Sequence, residues 1–260
     1  MPEQTACGRC ARPARAGARR APQGGHHRRA SGEVGHLNVS AAVNTGNLAR
    51  HDLVRVAPAS WPAISAGCPP LREEPLLADW AERGRPLVVR RVGRDERPSA
   101  GLVPLGISLP LSSKMRRIAV QVPAVAICNV SSPPRLADLA SSAPLAWRAT
   151  IDRLLELDAG ARAYGSLAWQ HATGLGYLSA TSDLDLLWRC AAGSSCETLL
   201  AGIAAIERQA PMRIDGEVMV ADGGAVHWRE LQSGAAEVLV KRVDDVVVLP
   251  RRTFMSGSVS

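Results

Sequence analysis

Two aspartates one residue apart, Asp183 and Asp185 in the stretch SDLDLLW, are the residues whose type and spacing best fit catalytic chemistry. In an extended strand, side chains alternate faces, so the two carboxylates point the same way while Leu184 and Leu186 point the other. Like charges that close resist joint ionisation unless something positive lies between them. Magnesium suits that place, because it takes oxygen ligands and commonly shares them between one or two carboxylates and substrate phosphates. A third carboxylate on a neighbouring strand would complete a two-ion site, with ions about 3.5–4 Å apart clamping the attacking and leaving oxygens of a phosphoryl displacement. Asp215 is the candidate, and Glu217, on the same face of its strand, is the reserve. The competing explanation of the pair is a solvated edge strand, and spacing alone leaves both open.

Upstream, Gly165 and Ser166 in YGS stand where a strand turns into a helix. Backbone N–H groups at a helix mouth, with the helix dipole behind them, hold phosphates, although a turn with no ligand uses the same residues. Lys241 and Arg242 in VLVKR could neutralise charge building on a leaving pyrophosphate; the alternative for both is an exposed strand end. His171 and His227 have no partner acid or nucleophile fixed by the sequence and read as structural. Trp169, Trp188 and Trp228 fall at helical or strand spacing and read as core rather than adenine platforms.

These residues need a framework. From HDLVRV onward, RPLVVRRV (residues 85–92) and RRIAVQV (116–122) predict strands, and frequent prolines keep the elements short. A small β-rich domain over 48–136 follows. SSPPRLADLASSAP reads as a linker, and LAWRATIDRLLELDAG as a helix ended by Gly160. The second domain, 137–260, runs through a short strand into YGS, a helix closed by Gly174, the strand SDLDLLW and a helix over SCETLLAGIAAIERQA. Three strand candidates, MRIDGEVMV, GAVHWREL and AEVLVKRV, complete it. Alternation followed by a run of strands predicts an α/β (α+β) fold, a mixed sheet with helices packed on it.

The chain has 260 residues and a formal charge of +7. Eight arginines stand against two glutamates in residues 1–50, so the remainder is close to neutral and the basic pI says little about partners. Residues 1–47, rich in Arg, Ala, Gly and Pro, read as a disordered or artefactual extension. Their CGRC and His26-His27 lack the regular second half of a zinc site. With one Phe and two Tyr, stacking platforms for single-stranded nucleic acid are scarce. No run of about 18 apolar residues predicts a membrane span. The six cysteines have no disulfide-framework spacing and are expected as free thiols in a cytoplasmic protein.

The succession of strand, YGS, helix, Asp-Leu-Asp strand and later acidic strand resembles the nucleotidyltransferase superfamily. The longer text, YGSLAWQHATGLGYLSATSDLDLLW with RIDGEVMVADGGAVHWREL and VLVKR, resembles the phosphoribosyl-dephospho-CoA transferases that complete the acyl carrier protein of malonate decarboxylase. HDLVRV, RPLVVRR and GLVPLGISLP extend the resemblance to the first domain, so that it covers residues 50 to 250. The resemblance implies that a serine of the apo carrier protein attacks the α-phosphorus of 2'-(5''-triphosphoribosyl)-3'-dephospho-CoA and pyrophosphate leaves. Asp183 and Asp185 would hold Mg²⁺ and supply the base, Gly165 and Ser166 the phosphate contacts, and Lys241 or Arg242 the counter-charge. The competing functions are a nucleotidyltransferase moving AMP from ATP, and a nucleic-acid-binding or regulatory protein acting through the basic tail.

Overall fold

The computed structural model describes residues 47–92, 99–113, 117–190, 194–221 and 223–256. The CGRC and His26-His27 segment therefore lies outside the described residues. The described chain belongs to one compact unit.

The first half is a five-stranded antiparallel sheet of order β4-β3-β2-β1-β5. Its strands are β1 (Leu53–Val56), β2 (Leu87–Val89), β3 (Leu102–Ser108), β4 (Arg117–Pro123) and β5 (Ile127–Ser131). Period-2 alternation fixes which face is buried: Ile118, Val120 and Val122 of β4 turn inward, while Arg117, Ala119 and Gln121 turn out. Two short helices, α1 (Trp61–Ala66) and α2 (Pro69–Glu73), cover the inner face with Trp61, Ile64 and Leu71. Prolines at their first turns cost no hydrogen bond there and limit their length.

The stretch expected as a linker is not one. It contains α3 (Leu136–Leu139), whose Leu136 and Leu139 are fully buried in the second core, and Arg135 bridges to Arg162. Next come α4 (Arg148–Leu157), β6 (Arg162–Ala163) and α5 (Gly165–Thr173), the last closed by Gly174 at φ 70° in the left-handed region. Strand β7 (Leu184–Arg189) runs parallel to β8 (Ile214–Met219), and α6 (Ser194–Glu207) makes the crossover between them. All other pairs in this six-stranded sheet, order β11-β10-β9-β8-β7-β6, are antiparallel. The mixed sheet is as expected.

GAVHWREL, expected as one strand, divides. Strand β9 (Ala225–His227) ends where the His227 ring accepts from the Arg229 N–H and so caps α7 (Trp228–Gln232). AEVLVKRV becomes β10 (Glu237–Lys241). An edge strand, β11 (Val246–Pro250), and α8 (Arg251–Met255) then follow. The three tryptophans are buried as expected, Trp188 and Trp228 in the second core and Trp169 in the first. Trp169 lies with Trp80 at 6.4 Å and Tyr177 at 5.9 Å between ring centroids, and the Tyr177 hydroxyl donates to the Ser108 carbonyl. Helix α5 thus belongs to both halves, with its N-terminus at β7 and its Trp169 in the core under the first sheet.

Candidate active site

The parallel register of β7 and β8 sets Asp185 opposite Asp215 and Leu187 opposite Glu217. Strand β7 begins at Leu184, so Asp183 stands just before it, a third exposed and 3.8 Å from the Arg213 guanidinium. Asp185 lies deeper, against the mouth of α5. The Ser166 backbone N–H donates to it, and Tyr164 N–H donates to its carbonyl at 3.0 Å. Gly165 has φ +66°, and a Cβ there would fall 1.8 Å from Asp185 Oδ2. The YGS turn therefore needs glycine for two separate reasons, a left-handed backbone and the carboxylate pressed against it. Gly165→Ala is expected to cost about 1–3 kcal/mol of stability. By displacing Asp185 it should also slow turnover about 10²-fold; a melting curve and a rate on one preparation check both.

Burial pushes the Asp185 carboxyl up to about 7, and the nearby charges of Asp215 and Asp183 push the same way against Arg117. A carboxyl so placed gains from any cation brought beside it. Asp215 is fixed from the other side. His227 Nδ1 accepts from Arg229 N–H at 3.1 Å, so the proton of the neutral ring sits on Nε2 and is donated to Asp215 Oδ1 at 2.5 Å. The base of β8 is pinned by Glu207, which accepts from Ile214 N–H and from the Arg229 guanidinium, while Arg229 and the Trp228 indole donate to the Ile214 carbonyl. His227 was expected as structural; it orients an acid of the site.

Glu217 has another task. It is nearly fully buried and accepts from three side chains: Arg50 Nη2 at 3.2 Å, His51 Nε2 at 3.3 Å and Lys241 Nζ at 3.0 Å. Burial alone would push its carboxyl up, but the His51 hydrogen bond and the charges of Arg50, His51 and Lys241 outweigh it and hold it well below the usual range. So compensated, it is a poor choice for a further metal ligand, and Asp215 is the better third carboxylate. His51 adopts φ 71°, uncommon for a residue with a side chain, and its ring lies 4.2 Å from that of Tyr164. The segment before β1 thereby reaches the six-stranded sheet. Lys241 lines the cleft beside Asp185. Arg242 instead pairs with Asp245 at 3.6 Å in the turn between β10 and β11 and is absent from the cleft lining. His171 is exposed and shares a hydrogen bond with the Ser142 hydroxyl.

Among the described residues, no three His, Cys, Asp or Glu side chains form a ready-made metal cage. Asp183, Asp185 and Asp215 would offer an ion oxygen alone, and burial of Asp185 beside two other acids favours a positive charge near it. Magnesium, which seldom takes an all-protein cage and fills its shell with water and substrate phosphate, fits such a set.

Two family descriptions match this framework along its length. The phosphoribosyl-dephospho-CoA transferase MdcG N-terminal domain matches residues 49–133, and the MdcG C-terminal domain matches residues 135–252. The chain belongs to the phosphoribosyl-dephospho-CoA transferase family. A phosphoribosyl-dephospho-CoA transferase of Bradyrhizobium diazoefficiens is 44% identical over 213 residues, covering 80% of this chain and 93% of that protein. Those of Xanthomonas axonopodis pv. citri and Xanthomonas euvesicatoria pv. vesicatoria are each 37% identical, covering 78% of this chain and 94% of theirs. No solved structure matches. The chain is thus a transferase, and the resemblance drawn from its motifs is correct.

Three features of this transferase escaped sequence reasoning: the Arg50 and His51 contribution, the cation cluster on Glu217, and the hold of His227 on Asp215. For the last a signal existed. His227 lies twelve residues after Asp215, a distance that suits a tight antiparallel return, with GG in between. For the first none did, since 166 residues separate His51 from Glu217.

Proposed function

We propose that this transferase moves the phosphoribosyl-dephospho-CoA group from 2'-(5''-triphosphoribosyl)-3'-dephospho-CoA to a serine of the apo acyl carrier protein of malonate decarboxylase. The observation that carries the reading is Asp185, set opposite Asp215 in parallel register and pressed against the glycine mouth of α5. The family name supports a dephospho-CoA-type substrate. The serine oxygen forms a bond to the α-phosphorus, the bond from that phosphorus to the β-phosphate oxygen breaks, and pyrophosphate leaves with the electron pair. Asp183, Asp185 and Asp215 would hold Mg²⁺, which when bound lends Lewis-acid stabilisation to the phosphoryl oxygens. Asp185, pushed up to about 7, is suited to take the serine proton near neutral pH. The Gly165 N–H and the Ser166 hydroxyl, at the positive end of α5, would meet the β- and γ-phosphates, the Ser166 N–H being already donated to Asp185. Lys241, its ammonium anchored on Glu217, offers charge to the departing pyrophosphate. Arg242, turned to Asp245, is set aside.

Among the described residues no helix is long and apolar enough to cross a membrane. The described cysteines, Cys68, Cys128, Cys190 and Cys196, are free thiols, which suits a cytoplasmic site of action. The test is pyrophosphate release in the presence of the carrier protein and magnesium. Release equimolar with carrier protein, and absent when its acceptor serine is replaced by alanine, is the expected result. Release with ATP in place of the donor would favour AMP transfer instead. Removing residues 1–47 is expected to leave the rate unchanged; loss of activity on that deletion would favour a role for the basic tail.

A further inference from the structure

We infer that the outer face of the N-terminal sheet binds the dephospho-CoA part of the donor, a nucleoside diphosphate carrying a long, weakly polar arm. The inference rests on the proposed transfer and assigns the half of the substrate that the carboxylates do not touch.

The inner face of this sheet is occupied by its own core. On the other side, the register Leu53↔Val88, Val88↔Gly106 and Gly106↔Ala119 sets one row of small or aliphatic residues across β1, β2, β3 and β4. All four line a cleft of about 500 Å³ that ends at Gly165 and Asp185, within the size range of small-molecule sites. Arg90, Arg91 and Arg117 also line it, and Asp185 is the only acid among the described residues that do. Arg117 lies close enough to Asp185 to favour its ionisation. Arg90 is bonded through Nε to the Leu105 carbonyl, which fixes its stem against the sheet. A cleft whose charged lining is almost wholly basic concentrates polyanions, and its aliphatic floor suits the uncharged parts of such a ligand.

The cleft does not end at β4. Round the edge strand β4 it shares Arg90 and Ala119 with a second depression of about 910 Å³, on the side of the sheet that α1 covers, whose lining includes Ala63, Ile64, Cys68 and the 96% exposed Val125. The two form one path that is charged near Asp185 and largely apolar farther out. The donor has that polarity, with phosphates at the reacting end and the arm remote from it. Structural support of the catalytic sheet would account for the inner core of the N-terminal half but not for arginines beside an uncovered apolar face.

Calorimetric titration of the full chain with dephospho-CoA, and separately with magnesium tripolyphosphate, tests this. Dephospho-CoA is expected to bind the wild type, with its affinity at least tenfold weaker in Arg117→Gln and Ala119→Trp. Should Ala119→Trp fold poorly, Ala63→Trp, on an exposed helical position of the second depression, serves in its place. Alkylation of Cys68, followed by peptide mapping, should be slowed by dephospho-CoA and not by tripolyphosphate. Failure of dephospho-CoA to bind the wild type, or wild-type affinity in both tryptophan variants, would overturn the inference. Tripolyphosphate binding should survive Ala119→Trp and be lost in Asp185→Asn. If dephospho-CoA behaves as expected while tripolyphosphate does not bind, the assignment of the outer face stands and the reading of the carboxylate site fails.

Discussion

Asp185→Asn is expected to abolish transfer while making the metal-free protein more stable. The rate should fall by about three orders of magnitude or more, the scale on which losing a metal-holding, proton-accepting group acts. The stability gain follows from linkage. The Asp185 carboxyl titrates near 3.8 when unfolded and is pushed up to about 7 in the fold by burial, Asp215 and Asp183. Its folded pKa is raised, so the stability it contributes is fully present below pH 3.8 and is lost as pH rises through about 7. At pH 8 without magnesium the asparagine variant should exceed the wild type by about 4 kcal/mol, and the difference should vanish at the acid end. Magnesium should raise the melting temperature of the wild type and leave the variant unmoved. A variant less stable than the wild type at pH 8, or one that turns over normally, would contradict the assignment.

The second large effect lies at Glu217. Glu217→Gln leaves Arg50, His51 and Lys241 crowded around an uncharged amide, with Arg50 and Lys241 no longer compensated. Breaking a buried ion cluster on one side costs about 3–5 kcal/mol, or a fall of roughly 6–15 °C in melting temperature for a chain of this size. The folded pKa of Glu217 is depressed below the ordinary 4.5, so its stabilisation is present above pH 4.5 and is lost as pH falls below it. The gap between wild type and variant should therefore be widest near neutrality and close on acidification. Activity should fall as well, because Lys241 loses its anchor and the strained turn at His51 loses the contact that holds it. If Glu217 were instead a metal ligand compensated only by that metal, metal-free wild type and variant would melt together.

Much of this site is legible in the sequence, and the reasons are local. Asp-Leu-Asp marks a strand by period-2 alternation, and a Gly-Ser turn before a helical run marks a helix mouth. Both signals span a few residues and survive any packing. The structure gives the glycine a meaning the turn alone could not supply, since the group that forbids a side chain at 165 is Asp185, twenty residues later. GAVHWREL reads as a strand because Val226 and Trp228 alternate. One imidazole accepting one backbone N–H turns it into a helix, and no periodicity records such a bond. SSPPRLADLASSAP reads as a linker on its prolines and serines, yet Leu136 and Leu139, three apart, bury a helical face in the second core. The Glu217 cluster was the least legible, because a buried acid is explained only by cations that the fold brings from distant segments.

The most direct test of the central claim is the intact mass of the apo acyl carrier protein of malonate decarboxylase after incubation with magnesium, triphosphoribosyl-dephospho-CoA and either wild-type or Asp185→Asn transferase. A gain equal to one phosphoribosyl-dephospho-CoA group with the wild type, and none with the variant, is the result the account predicts. An unmodified carrier protein with the wild type, or equal modification by both proteins, would contradict it.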